Sequence, residues 1–95
     1  MAGVLVIATL RFKDLSRYRA YQARFPEAFA GSGGSVLAAD EQPQLLEGTA
    51  VDKVVVMRFD NEMAARAFIE SPAYQEISVD RIAGADTSSW MIKAI

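Results

Sequence analysis

Two runs of seven residues, Val4–Leu10 and Lys53–Phe59, are apolar on both of their sides, and nothing else in the chain constrains its fold as strongly. A β-strand sends successive side chains to opposite faces of its sheet. In the first run Val6, Ala8 and Leu10 fall on one face, Leu5 and Ile7 on the other. In the second, Val55, Met57 and Phe59 oppose Val54 and Val56. An antiparallel sheet with one face in water alternates apolar and polar residues. Neither run does, so both faces of the sheet must be covered.

Helices supply one cover. After the first strand, Asp14 or Ser16 can cap a helix on which Leu15, Tyr18, Phe25 and Phe29 form one apolar face. Pro26 should bend or interrupt that helix, because it deletes the bond to residue 22. Gly31, Gly33 and Gly34 stop it and supply positive φ. Ser35–Ala39 reads as a second strand, Asp40–Gly48 as a polar loop and Lys53–Phe59 as a third strand. Asp60 or Asn61 caps a second helix through Glu70, with Ala64, Ala65, Phe68 and Ile69 as its stripe. Ser71-Pro72 then opens a short helical piece over Ala73–Ile82, and Trp90–Ile95 is the last strand.

The order is βαββαβ, which defines an α+β, ferredoxin-like fold: a four-stranded antiparallel sheet with two helices on one face. The open face, assigned by strand parity, carries Leu5, Ile7, Val54 and Val56, too apolar a patch for a monomer. A homodimer through that face is expected, burying on the order of 1,500 Å². A non-self partner on the same face is the alternative.

Ninety-five residues allow one core, so residues 1–95 are expected to form one domain. Without cysteine the chain has no disulfide or thiolate chemistry, and without histidine it lacks the commonest general base and metal ligand. No metal and no cofactor are expected. A net charge of −2 with scattered Lys and Arg argues against nucleic acid. The aliphatic third strand also lacks the base-stacking aromatics of an RNA-recognition motif. Val4–Leu10 is too short for a membrane span and has no preceding basic residue, so no membrane partner and a cytoplasmic location are expected.

Several stretches together resemble a known family. They are Asp14 with Tyr18 and Tyr21; Gly33-Gly34; Leu46-Glu47-Gly48; Phe59 with Ala64; Ser71-Pro72-Ala73-Tyr74-Gln75; and Arg81. In this order they are similar to the bacterial family catalogued as domain of unknown function 1330, of the dimeric α/β-barrel superfamily. The resemblance implies this fold, a dimer and a small-ligand cavity beside the sheet, but no particular activity. Members typically carry an acidic residue before the phenylalanine that ends the third strand, and here that position is Arg58.

The candidate site follows from parity and from these motifs. Thr9, Arg11 and Arg58 share the open face, where two arginines could clamp a carboxylate or enolate. The competing reading has both arginines at strand ends, paired with Asp or Glu. Tyr21, at the edge of its helical stripe, could offer its hydroxyl to a ligand, whereas Tyr18 belongs to the core. Arg81 could reach the sheet or bridge to Glu47, and Glu47 could act as a base if partly buried. Trp90 should pack in the core or at the subunit interface. A polar-lined cavity is expected beneath Tyr21 and Arg58.

The expected function is binding of a small acidic or phenolic molecule, or a metal- and cofactor-independent enzyme acting on one. Related folds include cofactor-free monooxygenases and lactone isomerases, but their sites often use a histidine that this chain lacks. A non-catalytic dimer for binding, sensing or assembly is the alternative.

Overall fold

The computed structural model describes residues 3–95. Its elements are β1 (Val4–Phe12), α1 (Leu15–Phe29), β2 (Ser35–Asp40), β3 (Lys53–Phe59), α2 (Glu62–Ile69), α3 (Pro72–Gly84) and β4 (Ala85–Lys93). The strands form one antiparallel sheet in the order β2-β3-β1-β4. The two longest apolar runs therefore lie at its centre, where burial on both faces is greatest.

Local chemistry sets the element ends. The Asp14 carboxylate accepts from the Arg17 amide at 3.3 Å, the Asn61 side chain from Ala64 at 2.8 Å, and the Ser71 hydroxyl from Tyr74 at 3.2 Å. Each satisfies an otherwise orphaned donor in the first helical turn. Gly31 and Gly33 take positive φ after α1. Gly34 serves another purpose: a Cβ there would meet the Phe59 ring at 2.5 Å. β2 can lie against the core at that point only because the side chain is missing.

Three expectations are corrected. Pro26 does not interrupt α1, which continues to Phe29 and is closed by the Ala30 amide donating to the Pro26 carbonyl at 3.0 Å. Phe25 and Phe29 on either side of it stack with ring centroids 5.0 Å apart and pack on the core. Burial of two phenylalanines offsets a proline cost of about 3 kcal/mol. Leu15, expected on the inner face of α1, is 45% exposed. The last strand begins at Ala85, not Trp90, directly from the end of α3, so α3 is the longer of the two helices after β3.

The core lies between the helices and one sheet face in two clusters. Val4, Val6, Met57 and Phe59 pack beneath Ala65 and Phe68 of α2. Leu10 and Ala85 pack beneath Tyr18 and Tyr21 of α1 and Ile77 of α3. The opposite face carries Leu5, Ile7, Val54 and Val56, as parity requires, together with Trp90 and Ile92 of β4, which are 54% and 44% exposed. No helix among the described residues is long and apolar enough to cross a membrane.

Candidate ligand-binding site

Register across the sheet builds a cavity on its helix-covered side. Lys53, Leu10 and Thr87 lie on one rung of β3, β1 and β4, and Val55, Ala8 and Ser89 on the next. The second rung is floored at its middle by a methyl group and ends in a hydroxymethyl. Between these small side chains and the helices above them lies a space of about 120 Å³. It is comparable to cavities that hold a single benzene-sized molecule. Tyr18, Tyr21 and Phe25 of α1 form one wall, and Tyr74 and Arg81 of α3 the other.

Its polar groups are few, and two have no partner. Arg81 Nε and Thr87 Oγ1 are both buried without a hydrogen bond. A buried donor left unpaired costs about 1–3 kcal/mol, and more when the group is charged. The Tyr21 and Tyr74 hydroxyls lie 3.1 Å apart, one donating to the other. Burial raises the Tyr21 phenol pKa above its ordinary value; Tyr74 adds to this, while the charge of Arg81 acts the other way. Tyr21 is therefore a neutral hydroxyl at physiological pH. The lining residues include no carboxylate, and the chain has no imidazole.

The expected site residues separate into three groups. Tyr21 and Arg81 meet in this cavity. Thr9, Arg11 and Arg58 lie on the opposite side of the sheet, so the anticipated meeting of Tyr21 with Arg58 does not occur. Arg11 donates twice to the Ala50 carbonyl, at 3.3 and 3.2 Å, and holds the loop before β3. Arg58 pairs with Asp60 at 3.3 Å, and Thr9 is half-buried between Val54 and Ser88. Glu47 is exposed in the β2–β3 loop, and Arg81 faces the sheet instead of bridging to it. Trp90 is not a core residue but stands half-exposed on the open face.

Sequence reasoning missed Thr87, Ser89, Tyr74 and Lys53. Lys53 is only 5% exposed. Its ammonium donates to Glu41 at 3.3 Å and lies 4.9 Å from the centre of the Tyr18 ring. Glu41 is also gripped by Arg19, with Nη2 donating at 2.6 Å; that bond first, and Lys53 next, hold its pKa down to about 2. The other α1 arginines are similarly matched, Arg17 with Asp80 and Arg24 with Glu76, so α1 presents no free basic face. No group of three or more His, Cys, Asp or Glu side chains gathers among the described residues.

Such a sheet and helix layer, with a small cavity between them, define a ferredoxin-like α+β protein. Residues 3–95 match the model of the family described as domain of unknown function (DUF1330), and the chain belongs to that family. Among curated proteins, none matches the sequence. The chain is similar to a solved protein of unknown function from Rhodopseudomonas palustris, with 19% identity and a TM-score of 0.84 over 99% of this chain and 83% of the other. A dimeric ferredoxin-like protein of unknown function from Thermobifida fusca is 18% identical, with a TM-score of 0.74 over 99% and 92% of the two chains. SnoaB, a cofactor-independent oxygenase from Streptomyces nogalater, is 14% identical, with a TM-score of 0.69 over 100% and 95%.

Proposed function

We propose that this protein is a homodimer that binds one small acidic or phenolic molecule per subunit in the cavity between sheet and helices. The observation that carries the ligand is the pair of unpartnered buried groups, Arg81 Nε and Thr87 Oγ1, in the wall of an otherwise largely apolar space. A carboxylate or phenolic oxygen supplies what both lack, and charge-assisted bonds to a guanidinium are the strong ones. The aromatic rings of Tyr18, Tyr21 and Phe25 suit an apolar ligand body. Thr9, Arg11, Arg58 and Glu47 have no part in this pocket; on this reading the first three belong to the subunit interface. The dimer rests on the exposed apolar face and on the dimeric state described for similar structures.

The site favours binding over proton-transfer catalysis, since no base lines it. A metal- and cofactor-independent enzyme is the second reading. In its favour stand the hydrogen-bonded Tyr21–Tyr74 hydroxyl pair, a hydrogen-bond donor facing the ligand space, and the fold shared with SnoaB. Titration calorimetry with benzoate, phenol and small aliphatic acids tests the binding. One class should bind, and Arg81→Met should weaken a carboxylate by roughly tenfold or more. Binding that ignores Arg81→Met would place the ligand elsewhere.

A further inference from the structure

A second space adjoins the cavity. It occupies about 190 Å³ between α1 and the β2–β3 edge, and Lys53, Gln22, Val36 and Ala39 contribute to its lining. Tyr18, Tyr21, Phe25 and Val55 line both spaces, so the two are separated by side chains and not by backbone layers. Each has its own cation: Arg81, with its Nε buried, in the inner space, and the buried Lys53 in the outer.

Lys53 is underused where it lies. An ammonium has three donors, and among the described residues only Glu41 accepts from it. The rung shared with Leu10 and Thr87 gives the spacing. Lys53 and Thr87 are two strands apart, roughly 10 Å at the backbone, with Tyr18 and Tyr21 above the gap. A ligand with one acidic end at Arg81 and Thr87 would direct its far end, past these rings, towards Lys53.

We infer that the two spaces form one elongated site for a small aromatic or unsaturated molecule with an acidic group at each end. Arg81 holds one carboxylate and Lys53 the other. The inference rests on the binding proposed above and adds the second charge and the length of the ligand. Glu41 then acts as a competitor, occupying Lys53 until the second carboxylate replaces it.

Calorimetry with benzoate and terephthalate tests this, since the two differ only by a carboxylate at the far end of the ring. Terephthalate should bind the wild-type protein roughly tenfold or more tightly than benzoate. Lys53→Met should abolish that advantage and leave benzoate unchanged, with circular dichroism confirming the fold. Glu41→Gln, which frees Lys53, should tighten terephthalate alone. Equal affinities for the two acids in the wild type, or equal weakening of both by Lys53→Met, would overturn the two-ended site while leaving the Arg81 pocket standing. If neither acid binds, the two-ended site falls while phenol and aliphatic acids still test the pocket; if Arg81→Met leaves benzoate unaffected, the pocket reading and this one fall together.

Discussion

Inside the cavity, the Tyr21 and Tyr74 hydroxyls satisfy one another, and burial makes Tyr21 a pH-sensitive contributor to stability. Burial first, and Tyr74 next, raise its phenol pKa above the ordinary value. The unfolded chain therefore releases this proton before the folded one does. The stabilisation it provides is complete below about pH 10 and is lost as pH rises further. Tyr21→Phe should cost about 1 kcal/mol at neutral pH, by leaving the Tyr74 hydroxyl short of a partner. It should also flatten the alkaline decline of the urea midpoint. Parallel declines in the two proteins would contradict that assignment. Arg81 stands apart from the surface arginines by the same accounting: Arg17, Arg19, Arg24 and Arg58 each have a carboxylate, and its Nε has no partner.

Among the elements, β4 shows how much of this molecule is readable from sequence. β1 and β3 announce themselves, because a strand buried on both sides must be apolar throughout, and the assignment of Leu5, Ile7, Val54 and Val56 to one face needed only parity. Ala85–Ser89 hides its strand because Thr87 and Ser89 turn polar side chains towards the core side. Those same residues, with Ala8, form the cavity, so the stretch that defeats pattern reading is the stretch that makes the site. Pattern also cannot say where a void will open. That depends on Ala8 falling between Val55 and Ser89 in register, which only pairing decides. Lys53 was overlooked for a related reason: a lysine at the start of a strand reads as its boundary. Ala8→Val would fill part of this space with two extra methyl groups. We expect stability to change by less than about 1 kcal/mol, since a void receives them, while benzoate affinity falls at least tenfold. Unchanged affinity in calorimetry would move the ligand off this rung.

At the scale of the whole molecule, one side of the sheet is packed and the other is not. Trp90 and Ile92 stand about half exposed beside Leu5 and Ile7. A second copy placed there by two-fold symmetry hides the same patch on both partners at once. Arg11 and Arg58, each already neutralised or bonded within its own chain, would rim such an interface at little desolvation cost. Trp90→Asp should convert a dimer to a monomer in sedimentation equilibrium at micromolar concentration. A wild-type protein that sediments as one subunit under those conditions would remove the dimer from this account. The cavity is lined by the helices and sheet of one chain, so its fate is separate. The Arg81 Nε–H group reports on it directly. Its proton resonance in a ¹H–¹⁵N spectrum should move downfield when saturating benzoate gives it a carboxylate partner. A resonance that stays in place while other signals respond to benzoate would show that Arg81 does not hold the acid.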